Sequence, residues 1–156
     1  MADAVEPITS FSGEHRFLSN FWPAPVMFEG LLYPTVEHAY VAAKTLDHTA
    51  REGIAQLDSP GKAKRAGRSL KLRHDWELVK VLVMEGLLEQ KFAHVPLRRL
   101  LHATRPRYLI EGNTWGDRFW GATLEDEGWV GENHLGVLLM RIRDDFPLND
   151  DGSLRA

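Results

Sequence analysis

The stretch His74 to Ala93, HDWELVKVLVMEGLLEQKFA, sets the frame for any fold this chain can adopt, because it is the longest run with a helical period. Leu78, Val79, Val81, Leu82, Val83, Met84, Leu87, Leu88 and Phe92 cover so much of its surface that a central, largely buried helix is expected. Asp75 is its expected cap and Trp76, in its first turn, an expected core residue. A helix buried in that way needs neighbours, and the rest of the chain offers them only as short pieces.

Val26-Met27-Phe28 and Leu31-Leu32-Tyr33 flank Glu29-Gly30, a two-residue connection with a glycine available for positive φ, which predicts a small hairpin. Thr35 can cap a helix beginning beside it, Asp47 to Leu57 reads as a second helix, and Ser59-Pro60 caps and starts a third. Pro96 to Thr104 predicts another short helix, and Tyr108 to Ile110 an extended piece. Beyond an acidic loop, a closing helix follows Asn133, with Leu135, Leu138, Leu139, Ile142 and Phe146 on one face. Phe11 to Trp22, FSGEHRFLSNFW, has no helical period and reads as a short strand and an irregular segment, its aromatic residues core filler. Ser19 and Asn20 between them need partners if buried.

A chain of 156 residues buries roughly two thirds of its unfolded surface, enough for one core. The expectation is therefore an α+β fold, mainly α-helical, in a single compact domain with a small N-terminal β-hairpin. Residues 1–10 are expected as a flexible N-terminus, 11–147 as the domain and 148–156 as a flexible tail.

With 19 basic and 22 acidic residues the formal charge is −3, so any recognition of an anion must be local. The absence of Cys removes disulfides, thiolate nucleophiles and thiolate zinc sites, and fits a reducing cytoplasm. No apolar run approaches the roughly 18 residues of a membrane span, and no signal core opens the chain, so no membrane partner and a cytoplasmic location are expected. His38, His48, His74, His94, His102 and His134 show no HExxH spacing, so neither a metal site nor a cofactor is expected.

Three stretches carry candidate chemistry. In YPTVEHAYVAAK, Glu37, Tyr40 and Lys44 stand at i, i+3 and i+7 and fall within about one third of the helix circumference. Val36, Ala39, Ala42, Ala43 and Leu46 form the opposite, packing side, so the same three residues also read as a solvated face of mixed charge. In GKAKRAGRSLKLR, Lys62, Lys64, Arg65, Arg68, Lys71 and Arg73 occur with no acid among them, either an anion-binding patch or a solvated cationic face. In IEGNTWGDRFWG, Asp117 and Arg118 lie among Trp115, Phe119 and Trp120, and a loop this aromatic must fold into the body or wall a pocket. The Asn133-led start of the closing helix adds a possible phosphate seat. Separated carboxylates, an amine and aromatic walls suit reactions through oxocarbenium-like states at a sugar.

The segments FLSNFWPAPV, YPTVEHAYVAAK, GKAKRAGR, the Trp76, Val79, Lys80, Met84, Lys91 and Phe92 series, LIEGNTWGDRFWG and GENHLGVLLMRIR resemble, in order, the motifs of the NADAR (YbiA-like) family, from about Phe11 to Phe146. The resemblance implies an N-glycosidase. Family members hydrolyse the base–ribose bond of phosphorylated riboflavin-synthesis intermediates, or remove ADP-ribose from guanine in nucleic acid, reversing a DNA-modifying toxin. It places the catalytic residues at Glu37, Lys44 and Asp117, and substrate contacts at Asn20, Tyr40, Lys62, Arg65, Trp76, Trp115, Arg118 and Trp120. The implied partners are ADP-ribose or a ribose-phosphate nucleotide-like substrate, ADP-ribosylated DNA or RNA, and a cognate ADP-ribosyltransferase toxin. Removal of ADP-ribose from guanine through a Lys44 Schiff base is the first expectation, riboflavin-intermediate cleavage the alternative, and a non-catalytic ADP-ribose reader the second alternative. In every enzymatic version Glu37, Lys44 and Asp117 are expected to meet around one sugar.

Overall fold

The computed structural model describes residues 5–145, 148, 149, 151 and 153. It is mainly helical with two small antiparallel hairpins, the α+β class expected. The described residues fall into two packed units, Asn20–Lys91 on one hand and Met1–Ser19 with Phe92–Ala156 on the other.

In the first unit, β1 (Val26–Phe28) and β2 (Leu31–Tyr33) pair with Val26 opposite Tyr33. Their turn puts both Glu29 (φ 44°) and Gly30 (φ 87°) in the left-handed region, as a two-residue hairpin requires. The hairpin packs on α1 (Val36–Ala43), whose Thr35 cap accepts the N–H of His38. His38 is buried, its Nε2 donating to the Leu57 carbonyl at 3.0 Å and its Nδ1 paired with the Thr35 hydroxyl at 2.7 Å. α2 (His48–Ala55) and α3 (Pro60–Ala66) both pack on α1, capped by Asp47 and Ser59 as their sequences require. Gly67–Ser69 continues α3 as a 3-10 turn.

α4 (Trp76–Ala93) departs from the sequence expectation of a central buried helix. Trp76, Met84, Leu87 and Leu88 are buried, but Leu78 is 82% and Leu82 69% exposed. Apolar residues run around the helix, yet neighbours cover only one side, and Val79, Leu82 and Val83 instead border an open cleft with Phe28 and Gly86. The Asp75 carboxylate is taken by Arg73, at 2.6 and 3.0 Å, while its backbone carbonyl receives the N–H groups of Leu78 and Val79.

In the second unit, Gly13–Leu18 forms a 3-10 helix where a strand was expected. Ile8, expected in a flexible end, is only 2% exposed and bridges Leu109 in parallel. Leu148 is likewise buried, against the expected tail; Phe146 and most of that tail lie outside the described residues. α5 (Val95–His102) packs against α6 (His134–Asp145). The acidic stretch expected as a loop is a hairpin, β3 (Thr123–Glu125) with β4 (Gly128–Val130), closed over its acidic turn.

Asn133 (φ 52°) organises this unit: its Oδ1 accepts the Glu111 N–H at 3.0 Å and its Nδ2 donates to the Leu109 carbonyl at 2.8 Å. A Cβ at Gly136 would stand 2.2 Å from that same carbonyl, so only glycine lets the extended segment lie against α6. The expected phosphate seat at this helix start is overturned, because the first N–H groups already donate within the unit, His134 to the Phe119 carbonyl and Leu135 to the Trp120 carbonyl.

Candidate active site

α1 delivers three of the expected residues to one place. Tyr40 is buried and its ring meets that of Trp76 at 5.2 Å, tilted by 54°. One turn further on, the Lys44 ammonium nitrogen lies 5.3 Å from the centre of the Tyr40 ring. α1 ends at Ala43, and Leu46, expected on its packing side, is 60% exposed. Lys44 therefore sits at the helix C-cap, where its backbone is held from two directions. The Arg73 N–H donates to its carbonyl at 2.7 Å, and Arg51 from α2 bridges the carbonyls of Ala42 and Thr45 at 3.2 and 2.9 Å. Gly67 passes so close that a Cβ there would lie 3.9 Å from Lys44 Nζ and 3.0 Å from Val41.

Burial lowers the pKa of the half-buried Lys44 amine; the Glu37 carboxylate opposes that shift, and the ammonium groups of Lys64 and Lys80 add to it. Glu37, in the first turn of α1, donates its N–H to the Asn20 carbonyl at 3.1 Å. Asn20 Nδ2 reaches the Met84 sulfur at 3.6 Å, while its buried Oδ1 has no hydrogen-bond partner. A buried amide oxygen left unsatisfied costs about 1–3 kcal/mol, so Oδ1 is suited to receive a hydroxyl or amine of a bound molecule. Asn20, Glu37, Tyr40, Lys44 and Trp76 thus gather within one unit. Lys62 pairs with Asp58 at 2.9 Å in the open, and Arg65 is exposed. Lys64 belongs to the cationic stretch and Lys80 to the motif series, but neither was expected among the substrate contacts, although Lys80 follows Trp76 by one turn as Lys44 follows Tyr40.

The other expected residues belong to the loop before β3. Asp117 Oδ1 accepts the N–H groups of Phe119 and Trp120 at 3.1 and 2.9 Å, and its own N–H donates to Asn113 Oδ1 at 3.0 Å. One carboxylate oxygen is thereby used to shape the loop. Arg118 turns to the hairpin, donating to Thr123 at 3.1 Å and to Glu125 at 2.6 Å. Trp115 is 64% exposed, and Trp120 stands edge-on to Phe119 at 4.9 Å. Among the described residues no group of three or more His, Asp or Glu side chains could hold a metal ion, and no helix is long and apolar enough to cross a membrane.

An amine with a lowered pKa, a carboxylate in its field and an aromatic wall can together attack an electrophilic carbon and move the accompanying protons. Residues 9–147 match the family model described as NADAR domain. The chain is 41% identical over 152 residues to N-glycosidase YbiA of Escherichia coli (strain K12), covering 95% of this chain and 92% of that protein. It is 35% identical to an N-glycosidase of Nostoc punctiforme, covering 82% of this chain and 83% of that one. A longer relative in Vibrio vulnificus, named a riboflavin biosynthesis protein, is 34% identical over 85% of this chain and 36% of its own length. The NMR structure of the E. coli protein YbiA superposes with a TM-score of 0.75 at 41% identity, covering 93% of this chain and 86% of that chain.

Proposed function

The chain belongs to the NADAR domain family, and from that premise we propose that it is an N-glycosidase in which the Lys44 amine displaces the base of a phosphorylated ribosylamine. The observation that carries the proposal is the setting of Lys44: half buried, against the Tyr40 ring, its proton weakened by burial. The name of the Vibrio vulnificus relative favours a pyrimidine ribosylamine phosphate as the substrate.

A ribosylamine opens to an iminium at C1. The neutral Nζ lone pair forms a bond to C1, a proton passes from Nζ to the base nitrogen, and the C1–N bond to the base breaks with its electron pair leaving on the base. C1 remains as an iminium of Lys44; water then adds to it and expels the amine, giving the free sugar aldehyde and restoring Lys44. Glu37 carries the protons, Asn20 Oδ1 accepts from the substrate, and Trp76 with Tyr40 forms the apolar wall. Asp117, by its motif, binds ribose hydroxyls or serves as the second acid/base group.

Borohydride treatment during turnover, followed by mass spectrometry, is expected to leave a reduced sugar on Lys44. Turnover without that adduct, together with retained activity in Lys44→Ala, would instead assign the reaction to water activated by Glu37 or Asp117. Glu37→Gln is expected to slow turnover by about 10²-fold or more, whereas a reader of ADP-ribose would have no turnover to lose. ADP-ribosyl-guanine is the second substrate reading, favoured by the exposed cations Arg65, Arg68 and Lys71, which exceed what one phosphate needs. Both substrates belong in the same assay.

A further inference from the structure

The turn that joins β1 to β2 carries a residue its backbone does not favour. Glu29 stands at φ 44° ahead of Gly30 at φ 87°, and a two-residue turn with both angles positive suits asparagine or glycine in its first place better than glutamate. What the side chain reaches accounts for the choice. The Glu29 carboxylate meets Arg51 Nη1 at 2.6 Å, and the ring of the preceding Phe28 is centred 5.0 Å from the same guanidinium. Two consecutive hairpin residues thus grip one arginine of α2.

The Arg51 side chain is 6% exposed and that of Glu29 57%, so the carboxylate holds the buried cation from the solvent side. Arg51 Nη2 is buried with no hydrogen-bond partner, and offsetting the charge falls to Glu29. A buried cation that loses its anion is strongly unfavourable, and the side chain is then drawn toward water. Arg51 Nε donates to the Thr45 carbonyl at 2.9 Å and to the Ala42 carbonyl at 3.2 Å, which lie on either side of Lys44. The Thr45 N–H returns to the Ala42 carbonyl at 3.3 Å, and the Lys44 carbonyl takes the Arg73 N–H at 2.7 Å. The backbone is thereby closed around Lys44, and the carboxylate that secures it belongs to the hairpin.

We propose that Glu29 is a positioning residue for the N-glycosidase reaction: through Arg51 it fixes the turn from which the Lys44 amine approaches C1. This rests on Lys44 as the residue that attacks C1. A misdirected nucleophile slows the chemical step more than it weakens binding.

The test uses the full chain and the pyrimidine ribosylamine phosphate. Glu29→Asn suits the turn but is one methylene short and uncharged; Glu29→Gln restores the length and an accepting oxygen. Glu29→Asn is expected to lower kcat about tenfold with KM within about twofold, and Glu29→Gln to recover most of the loss. Glu52→Gln removes another ion pair of α2, with His48 at 3.0 Å and a carboxylate likewise 57% exposed, and leaves kcat unchanged. Amide exchange read by NMR follows the turn without turnover: the Thr45 and Arg73 N–H groups exchange several-fold faster in Glu29→Asn, while the His38 N–H at the other end of α1 keeps its rate. Unchanged kcat in Glu29→Asn, a loss confined to KM, or an equal loss in Glu52→Gln overturns the proposal. A borohydride-reduced sugar on Lys44 together with unchanged kcat in Glu29→Asn overturns the positioning role alone; turnover that survives Lys44→Ala overturns the role of Lys44 and this proposal with it. If the wild type cleaves no N-glycoside yet exchange at Thr45 and Arg73 quickens in Glu29→Asn, the hold of Glu29 on the turn stands and the glycosidase reading falls. Melting curves identify any variant that has not folded, and Glu29→Gly, which suits the same φ, then takes the place of Glu29→Asn.

Discussion

Lys44 holds its proton less tightly than an ordinary lysine because burial strips water from the ammonium form, an effect that Glu37 resists and that Lys64 and Lys80 reinforce. Only the neutral amine attacks carbon, so a Lys44-dependent rate rises with pH, and the midpoint of that rise lies below the usual 10.5. Glu37→Gln removes the charge that favours the ammonium and moves the midpoint down; Lys80→Met removes one that disfavours it and moves the midpoint up. Reductive methylation of Lys44 across pH, read by mass spectrometry, follows these shifts without depending on turnover; a midpoint at 10.5 in the wild type would contradict the assignment. Lys91 shows the same physics more strongly: it is 1% exposed, and burial brings its pKa to about 7. Between that value and the roughly 10.4 of an unfolded lysine, the unfolded chain binds the extra proton, so stability rises with pH across this window. Urea titrations should show the wild type gaining on the order of 3 kcal/mol relative to Lys91→Met from pH 7 to pH 9.5. Lys44 was readable in sequence because Glu37, Tyr40 and Lys44 share a helix face. The inward placement of Lys91 and Lys80 was not, although both stand in the motif series, since burial of a lysine stem depends on neighbours that no local spacing encodes.

At the scale of elements, Arg51 fixes the end of α1. Its side chain is 6% exposed, donates to the carbonyls of Ala42 and Thr45, meets Glu29 at 2.6 Å and lies over the Phe28 ring at 5.0 Å. Arg51→Met takes the side-chain donor from the Thr45 carbonyl beside Lys44, while the Ala42 carbonyl keeps the Thr45 N–H at 3.3 Å, and is expected to cost about 1–3 kcal/mol in chemical denaturation. α4 gives a sharper contrast. Leu82→Gln should change stability by no more than about 0.5 kcal/mol because Leu82 is 69% exposed. Leu88→Ala, at a position with 0% exposure, should cost about 2–5 kcal/mol. Equal costs at the two positions would mean that α4 is buried all round, as its sequence suggested. Hairpin β1–β2 and the caps at Thr35 and Ser59 were legible because a turn or a cap is decided by two to four adjacent residues. Which side of α4 receives neighbours is decided far away in the chain, and the acid-rich composition hid β3–β4 because its strands expose Leu124, Trp129 and Val130 rather than alternating cleanly.

For the molecule as a whole, the formal charge of −3 and the position of the cations decide what kind of anion it can attract. Polymeric nucleic acid binds through many phosphates at once, and its affinity comes from counterions released along a broad basic surface. Here Lys62, Arg73, Arg118 and Arg143 are drawn to Asp58, Asp75, Glu125 and Asp144. The charges of Lys64 and Lys80 act together on the Lys44 amine, while Arg65, Arg68 and Lys71 are exposed. Such a distribution suits one phosphate group held at short range, where partial burial limits screening by salt. Unmodified duplex DNA should therefore bind only at the weak end of the non-specific range, about 10⁻⁴ M at physiological salt, and should leave ribose 5-phosphate binding unaffected. Fluorescence anisotropy of a labelled duplex, repeated at two salt concentrations, checks this. Micromolar binding with a steep loss on added salt would reveal a basic track, and would move the substrate from a small phosphorylated ribosylamine toward a modified base carried on nucleic acid.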